Sequence, residues 1–383
     1  MEKKDKINIL YILNATTKFG GANKSFLNIV NGLDKNIYNP IILAPDNGAI
    51  TKLLISEGYD VIVTKYFQDI YPSTQGFLRK ILFFGNFLRY RATNYIARVK
   101  IVKLIEGLSI KFVHTNVGTV HMGSFLAKKL RLKHIWHLRE YQDKDFNFRI
   151  FPNKKRFVSR LKANDFNICI SKDIFDYFNL DLKNSKVVYN GIKSIKEVIF
   201  DREKGSYFLF AGRLEPNKGI DKLLESYYRY KTEFGGTLDL YIAGDSNNKH
   251  FKNMIELFVS DHNLEPNVKF LGMREDIDIL MQKATALIVP SLYEGFGRIT
   301  VEALFNGCLV IGYNNAGTAE ILKDKDYGFL YNNESELIAF MQMFESNDVQ
   351  YESLIRLAQG DLFKYSNEKY VEEILNIYLN IMR

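Results

Sequence analysis

The sequence predicts an α/β protein with two doubly wound, parallel-sheet domains that face each other across a cleft. Three observations lead to this prediction. Short apolar runs alternate with helical patterns along the whole chain, as they do in βαβ units. The length of 383 residues is too great for one ordinary core. A polar segment, residues 192–206, separates two series of strand-like runs and is the expected hinge.

The strand-like runs fall into two series, with helical patterns between nearly every pair. The first series comprises residues 7–13, 40–44, 61–64, 111–114, 134–138, 166–171 and 187–190. The second comprises residues 207–212, 238–244, 268–272, 286–290 and 309–312. Apolar residues at helical spacing predict a last helix over 366–383, which can pack on either domain. Ligands of such domains bind at the carboxyl ends of the strands.

The composition is that of a soluble globular protein, with 46% hydrophobic and 25% charged residues. No apolar run approaches the roughly 20 residues of a membrane-spanning helix, and the first strand follows the N-terminus without a signal-peptide cleavage site. The two cysteines, Cys169 and Cys308, lie in separate apolar runs, which argues against a disulfide framework and a zinc site. We therefore expect a protein of the reducing cytoplasm without a zinc site.

The net charge of +8 is concentrated in two stretches without acidic residues, 75–105 and 147–162, where basic and aromatic residues alternate. Two interpretations fit this pattern. The stretches form helices that bind an anionic membrane surface, or the aromatic residues belong to the core and the basic ones to a solvated face. Nucleic-acid binding is not expected, because the sequence contains no recognisable nucleic-acid-binding module.

A first group of candidate site residues lies in the stretch Leu209-Phe-Ala-Gly-Arg-Leu-Glu-Pro-Asn-Lys-Gly219. A strand is predicted to end at Gly212 and a helix to begin near Lys218, so Arg213 and Lys218 follow the carboxyl end of a strand. Two cations in that position can hold a diphosphate, and arginine can bind it through two hydrogen bonds. Taken alone, the pair is more simply explained as two surface residues of a loop.

A second group lies in the stretch Val289-Pro-Ser-Leu-Tyr-Glu-Gly-Phe-Gly-Arg-Ile-Thr-Val-Glu-Ala-Leu304, which has the pattern of a strand, a glycine-flanked loop and a helix. Glycines in the loop let the backbone approach a ligand closely. The amides of Arg298, Ile299 and Thr300 are predicted to form the N-terminus of the helix, where anions bind. This second group makes a phosphate site the better explanation of the first.

Glu294 and Glu302 are eight residues apart. In a continuous helix this spacing separates them by roughly 12 Å along the axis, whereas the two carboxylates of a glycosidase lie only about 5–10 Å apart. We therefore expect the two glutamates to contact different parts of one long ligand. A nucleotide sugar is such a ligand, with the sugar at one end and the ribose at the other.

These motifs resemble glycosyltransferase family 4, whose members are retaining enzymes with the GT-B fold of two Rossmann-like domains. The resemblance rests on the Glu-x7-Glu arrangement of residues 294–302, on Gly-Arg-Leu-Glu-Pro-Asn-Lys-Gly at 212–219 and on Tyr189-Asn190-Gly191. It covers nearly the whole chain and is strongest over residues 207–330. Arg298 departs from the family, where an apolar residue is frequent, and residues 315–318 contain one glycine where two are usual.

The resemblance implies an acceptor domain over residues 1–192, on which the helix at 366–383 packs, and a donor domain over residues 193–365. It also implies roles for individual residues. Arg213 and Lys218 neutralise the donor diphosphate in place of a metal, Glu294 lies near the transferred sugar, and Glu302 binds the ribose. The implied donor-binding residues are Gly20, Gly21, Gly212, Gly297, Arg298, Ile299, Thr300 and Glu302.

The resemblance further implies that Gly20 and Gly21 form a loop over the β-phosphate, and that His137 contacts the sugar or positions the acceptor. Seen without it, His137 is more simply a strand histidine bonded to a neighbour, and Arg139 and Glu140 pair on the rim of the cleft. The Asp276-Ile-Asp278 sequence falls at the start of a predicted helix, where we interpret it as a helix-terminal charge rather than a metal site.

The predicted function is the retaining, metal-independent transfer of a hexosyl or N-acetylhexosaminyl group. The donor is a UDP- or GDP-linked sugar, no cofactor is needed, and the acceptor is a glycan or a lipid-linked glycan of bacterial surface polysaccharide or glycolipid synthesis. The enzyme is expected in the cytoplasm or on the inner face of the cell membrane. The alternatives are a nucleotide-sugar 2-epimerase, for which the sequence shows no added acid–base set, and a non-catalytic partner subunit.

Overall fold

The computed structural model describes residues 6–16, 20–72, 77–146, 148–346 and 349–383; the side chains of Pro72, of residues 77–84 and of Phe146 are outside this description. The chain divides into two compact units. The first comprises Met1–Gly191 with Glu368–Arg383, and the second comprises Ile192–Asn367.

The first unit alternates strands and helices along most of its length. Its strands are β1 (Ile7–Ile12), β2 (Tyr38–Ala44), β3 (Asp60–Val63), β4 (Ile70–Pro72), β5 (Ile110–Thr115), β6 (Lys133–Leu138), β7 (Phe148–Ile150), β8 (Phe166–Cys169) and β9 (Ser185–Val187). Its helices are α1 (Gly21–Gly32), α2 (Ala49–Ser56), α3 (Phe77–Ile105), α4 (Met122–Leu130), α5 (Asp143–Phe146), α6 (Lys154–Lys162) and α7 (Lys172–Tyr177).

The second unit repeats this alternation. Its strands are β10 (Tyr207–Ala211), β11 (Asp239–Ala243), β12 (Val268–Gly272), β13 (Ala286–Val289), β14 (Val310–Tyr313) and β15 (Phe329–Tyr331). Its helices are α8 (Ile220–Phe234), α9 (Lys249–Asp261), α10 (Ile277–Lys283), α11 (Arg298–Phe305), α12 (Ala316–Leu322), α13 (Glu334–Glu345) and α14 (Tyr351–Gly360). Three 3₁₀ turns lie at Ile195–Glu197, Pro216–Lys218 and Leu362–Tyr365, and the last helix is α15 (Asn367–Met382).

Each unit contains a parallel sheet, which confirms the predicted α/β class. In the described residues of the first unit the strand order is β3-β2-β1-β5-β6-β8-β9, and in those of the second it is β12-β11-β10-β13-β14-β15. The winding of a doubly wound sheet reverses between the strands that begin its two halves, and ligands bind beside that switch point. The switch points lie between β1 and β5 and between β10 and β13.

Helix α15 belongs to the first unit, although the second unit precedes it in the sequence. Tyr370, Ile374, Ile377 and Tyr378 lie on its buried face and join the apolar cluster that contains Tyr11 of β1. The Tyr378 hydroxyl lies 2.8 Å from the Tyr11 hydroxyl. Helix α15 therefore packs on the first unit, whereas its helical spacing alone did not distinguish between the two domains.

The predicted strands are present, with ends that shift by one to three residues; the predicted strand 187–190 overlaps β9 only at Val187. Pattern analysis missed β4, β7 and β15, because three residues are too few to show a period. The polar segment 192–206 is held on the second unit, where Lys193 pairs with Asp278 at 2.8 Å and Lys204 donates to the Gln282 and Gly307 carbonyls. Among the described residues no helix combines the length and apolar character needed to cross a membrane.

Candidate functional site

The candidate donor site lies at the switch point of the second sheet, where two loops leave the carboxyl ends of β10 and β13. Gly212 directly follows β10, and its amide donates to the Ala243 carbonyl at 2.9 Å. A Cβ atom on Gly244 would lie 1.8 Å from the Gly212 carbonyl oxygen. Only glycine at 244 permits this approach, which brings the backbone after β11 against the start of the loop with Arg213.

A second close approach brings Lys218 beside the end of β13. Gly219 has φ +69°, and a Cβ atom there would lie 2.2 Å from the Pro290 carbonyl oxygen. The Leu292 amide donates to the Asn217 carbonyl at 3.2 Å, which joins the two loops directly. The sequence therefore needs glycine at 219 for both its backbone conformation and the space it leaves.

Each candidate cation of the first loop is paired with a carboxylate. The Lys218 ammonium lies 2.5 Å from Glu294 Oε1, and both side chains are only 17% exposed. Arg213 lies 2.9 Å from Glu215 Oε1 and is about half exposed. The structure thus brings together Lys218 and Glu294, which are far apart in the sequence, and places Arg213 on the same loop.

The loop before α11 is fixed by glycines and by α12. Gly297 has φ +84° at the N-cap position of α11, and a Cβ atom on it would lie 2.9 Å from Ile321 Cδ1. The Gly317 amide donates to the Glu294 carbonyl at 2.8 Å, and a Cβ atom on Gly317 would lie 2.4 Å from the Phe296 carbonyl carbon. The single glycine of residues 315–318 therefore occupies the position where a side chain would displace the loop.

Arg298 and Glu302 form a third ion pair, one turn apart on α11, with 2.9 Å between Arg298 Nε and Glu302 Oε1. Because α11 begins at Arg298, Glu294 lies outside the helix, and the spacing of a continuous helix does not apply to the two glutamates. The two glutamates contact different cations, Lys218 and Arg298. The Thr300 amide donates to the Gly297 carbonyl at 3.0 Å, which differs from the expectation that it faces an anion.

The site as a whole has no net formal charge, since three cations are matched by three carboxylates. A diphosphate bound here would contact cations that are already paired with carboxylates. At least one ion pair would have to open to accommodate its negative charge. In the part of the chain that the structure describes, no group of three or more His, Cys, Asp or Glu side chains is placed to hold a metal ion. Asp276 and Asp278 pair with Arg274 and Lys193.

In the first unit, Gly20 and Gly21 lie at the switch point, where α1 follows β1. Gly20 is the N-cap residue with φ −71°, and a Cβ atom on it would meet no atom within 4 Å. Its carbonyl accepts from the Lys24 amide at 3.0 Å. Residues 17–19 of the predicted glycine loop lie outside the described residues.

His137 lies on β6 in a buried polar network. Its Nδ1 is 3.3 Å from His114 Nε2 and 3.2 Å from an Arg139 nitrogen, and the His114 Nδ1 is 2.7 Å from the Tyr378 hydroxyl. Burial, and then the charge of Arg139, holds the pKa of His137 well below its usual value, so the ring is neutral. Its Nε2 is buried and has no hydrogen-bond partner among the described residues.

Arg139 and Glu140 do not pair as expected. The buried Arg139 guanidinium instead donates to the Asn116 carbonyl at 2.9 Å, to Asn190 Oδ1 at 2.7 Å and to the Tyr370 hydroxyl at 3.1 Å. Burial raises the pKa of Glu140 to about 7. Sequence reasoning missed this network because its partners come from β5, the residues after β9, and α15, and no local spacing connects them.

The chain is similar to several known proteins. Residues 192–359 match the family model of the glycosyl transferases group 1. A Methanocaldococcus jannaschii protein described as an uncharacterized glycosyltransferase, MJ1178, is 28% identical over 76% of this chain and 82% of its own length. The crystal structure of Anabaena Alr3699/HepE in complex with UDP superimposes with a TM-score of 0.79 at 19% identity, covering 98% of this chain and 100% of that one.

The chain is a glycosyltransferase. It has the GT-B fold, and it is not an epimerase. A further relative is the Campylobacter jejuni N-acetylgalactosamine-N,N'-diacetylbacillosaminyl-diphospho-undecaprenol 4-alpha-N-acetylgalactosaminyltransferase, which is 26% identical over 49% of each chain. The matched region therefore covers about half the length of that relative.

Proposed function

We propose that this glycosyltransferase moves a hexosyl or N-acetylhexosaminyl group from a nucleoside-diphosphate sugar to a lipid-linked glycan, with retention and without a metal, as a member of glycosyltransferase family 4. The observation that carries the proposal is the Lys218–Glu294 ion pair at the switch point of the second sheet. In this proposal Lys218 binds phosphate and Glu294 binds the sugar. The two side chains are in contact at the position where a doubly wound sheet binds its ligand.

The donor diphosphate binds to Arg213, to Lys218 and to the N-terminus of α11, where the Arg298 and Ile299 amides lie. Glu302 accepts from the ribose hydroxyls, and Glu294 accepts from hydroxyls of the transferred sugar. Gly20 and Gly21 of the first unit approach the β-phosphate, and His137 positions the acceptor. The unit Ile192–Asn367 is the donor domain in this proposal, and the other unit is the acceptor domain.

Catalysis depends on stabilising the leaving diphosphate. Breaking the bond between sugar and phosphate adds negative charge to that group, and preorganised donors aimed at developing charge make a large contribution to rate. Arg213 and Lys218 supply such charge without a metal. Glu294 is not the nucleophile in this proposal, since its carboxylate accepts from hydroxyls of the transferred sugar; the leaving phosphate takes the proton of the acceptor hydroxyl.

The acceptor class is supported by the Campylobacter relative, whose name contains a diphospho-undecaprenol acceptor. The Anabaena structure contains UDP, which supports a uridine donor. UDP-N-acetylhexosamines and UDP-hexoses are therefore the first donors to test, followed by GDP sugars. We place the reaction on the inner face of the bacterial cell membrane, where nucleotide sugars and lipid-linked acceptors are both accessible.

A membrane-facing surface is supported by α3. Its large apolar residues Leu88, Tyr95, Ile96 and Val99 are exposed at helical spacing, beside basic residues of the same helix. Arg79 and Lys80 lie where side chains are not described. The second basic stretch contacts the first, because the Arg91 guanidinium lies 4.9 Å from the centre of the Phe151 ring. Together they suit an anionic lipid surface.

The donor proposal is tested by the thermal stability of the protein with UDP, GDP, ADP and their sugars, with and without EDTA. A ligand at about 100 times its dissociation constant stabilises by about 2.7 kcal/mol. We expect one nucleotide to stabilise the wild type in EDTA, and to stabilise Arg213→Ala much less. The matched control is Arg202→Ala, an exposed arginine of the same unit that pairs with Glu352.

A shift that disappears in EDTA would contradict the metal-free site. The absence of a shift with any nucleotide would contradict the donor assignment. Binding of the α3 surface to a membrane is tested by flotation with vesicles that contain anionic lipid. Ile96→Glu is the variant, and neutral vesicles are the control.

A further inference from the structure

Two cavities lie side by side in the first unit, with the antiparallel β4–β7 pair in the wall between them. The first, called the loop cavity, has a volume of about 460 Å3, and its lining includes Gln142, Asp143, Arg149, Asn153, Lys154 and Tyr177. The second, called the edge cavity, has a volume of about 420 Å3, and its lining includes Asn14, Asp46, Lys65, Gln68 and Tyr90. Tyr71 of β4 and Phe148 of β7 line both cavities.

The cavities lie where a doubly wound sheet binds ligands. In the edge cavity, Asn14 follows the carboxyl end of β1, Asp46 that of β2 and Lys65 that of β3. In the loop cavity, Gln142 follows the carboxyl end of β6. Crevices outside the carboxyl ends of the strands are the usual binding sites of this architecture, and both volumes fall within the roughly 300–1,000 Å3 of small-molecule sites.

Gln142 contributes a buried side-chain amide to the lining of the loop cavity. The residue is 3% exposed, and its side-chain amide lies beside the Glu140 carboxylate, where it lowers the pKa of that carboxyl against the larger effect of burial. Its φ of +84° is rare for a residue with a side chain. The Asp145 carboxylate accepts from the Tyr141 and Gln142 amides at 3.0 and 2.8 Å and holds the loop in this conformation.

The chemistry of the two linings suits a neutral, hydroxyl-rich ligand. The half-buried rings of Tyr71 and Phe148 offer faces on which the C–H groups of a sugar pack. Carboxylates and cations are both present, so hydroxyl groups find acceptors and donors. The edge cavity has Lys65 beside Asp46, and the loop cavity has Arg149 and Lys154 beside Asp143, so the hydroxyl groups of a sugar meet donors and acceptors in both.

We propose that the two cavities form one groove that binds the oligosaccharide end of the acceptor, with at least one sugar unit in each cavity. This inference rests on the function proposed above and adds a requirement on the acceptor. Because Tyr71 and Phe148 belong to both cavities, a chain of sugars that crosses the β4–β7 pair packs on them. A single sugar fills only one cavity and binds more weakly.

The test measures binding of the full chain to immobilised one- to four-sugar fragments of bacterial surface glycans. We expect at least one disaccharide or trisaccharide to bind about tenfold more tightly than its constituent monosaccharides. Gln142→Gly removes the amide while keeping a residue that adopts positive φ without strain. We expect it to weaken that binding by about fivefold to tenfold, the effect of one lost hydrogen bond. Lys52→Ala, on the exposed side of α2, is the control and leaves binding unchanged.

Lys65→Ala in the edge cavity is a second variant that removes an exposed side chain, and we expect it to weaken binding of the longer fragments only. Wild-type binding by both variants would overturn the proposal. Equal affinity for single sugars and longer fragments would overturn it too, as would the absence of binding to any fragment. UDP binding, measured on the same preparations, separates the two ideas: its absence counts against the proposed function, and its presence without an effect of Gln142→Gly counts against the groove alone.

Discussion

Lys218 and Glu294 form an ion pair of 2.5 Å that joins the loops after β10 and β13. Both side chains are largely buried, so the pair is screened little by solvent. A diphosphate that binds the Lys218 ammonium must compete with the Glu294 carboxylate. In the proposed donor site Glu294 is therefore a competitor of the phosphate, and the Gly317 amide that donates to the Glu294 carbonyl holds its backbone in place.

Glu294→Gln is expected to bind UDP more tightly than the wild type while transferring sugar more slowly. Removing a unit charge beside Lys218 strengthens diphosphate binding by at least about 1 kcal/mol, or about fivefold in dissociation constant. Calorimetric titration with UDP measures the change. Glu203→Gln, a highly exposed glutamate of the same unit, is the control with no effect. Weaker UDP binding by Glu294→Gln would show that the carboxylate does not compete.

Glu302→Ala is expected to weaken UDP binding by about tenfold, because a hydrogen bond to a charged group contributes about 1.5–3 kcal/mol. Inorganic pyrophosphate has no ribose, and it should lose no affinity for the variant. Competition titration with both ligands separates the ribose contact from the phosphate contact. An equal loss for the two ligands would assign Glu302 to the phosphates, through its partner Arg298.

Ala316→Gly is expected to stabilise the second unit. Ala316 has φ +52°, a left-handed conformation that costs an alanine about 1–2 kcal/mol and a glycine almost nothing. The greater conformational freedom of glycine in the unfolded chain offsets part of this gain. The net increase in the free energy of unfolding is about 0.5–1 kcal/mol. Ala319→Gly, in the same helix, is the matched control and should destabilise by about 1 kcal/mol. Denaturant unfolding of both variants measures whether each substitution raises or lowers the free energy of unfolding.

The first unit is expected to lose stability as the pH falls from 7.5 to 5.5. Burial lowers the pKa of His121 and of His134 to about 4, whereas the unfolded histidines titrate near 6.5. The unfolded state therefore takes up protons that the folded state does not, and each histidine contributes a loss of about 1 kcal/mol over this range. Urea unfolding at the two pH values measures the difference.

Glu140 opposes this loss, because its raised pKa of about 7 lets the folded state bind a proton between about pH 7 and its usual value near 4.5. In Glu140→Gln the opposing contribution is removed, so the decrease in the free energy of unfolding becomes steeper than in the wild type. A Glu140→Gln protein whose stability stays constant from pH 7.5 to 5.5 would contradict the assignment of neutral, buried histidines.

The two sheets and the donor loops could be predicted from the sequence because their signals are local. Gly212, Gly219 and Gly297 lie in short motifs, and each motif directly follows a strand that shows as an apolar run. Which carboxylate meets which cation could not be predicted. Lys218 is 76 residues from Glu294, and their contact depends on the order of β10 and β13 in the sheet.

The first unit was less predictable for the same reason. The β4–β7 pair joins segments about 80 residues apart through three residues each, and Tyr71 and Phe148 of that pair line both cavities. Arg139 was assigned to its sequence neighbour Glu140, whereas its partners Asn116, Asn190 and Tyr370 come from distant elements. Sequence spacing describes the ends of elements well and contacts between elements poorly.

The position of α15 has a consequence for the order of folding during synthesis. The apolar cluster beneath β1 is completed by Tyr370, Ile374, Ile377 and Tyr378, which leave the ribosome after the entire second unit. Until then the nascent chain exposes the apolar surface that α15 covers, around Tyr11 and Phe112. The second unit, which is continuous in sequence, can complete its core first, and the unit that begins the chain is the last to be finished.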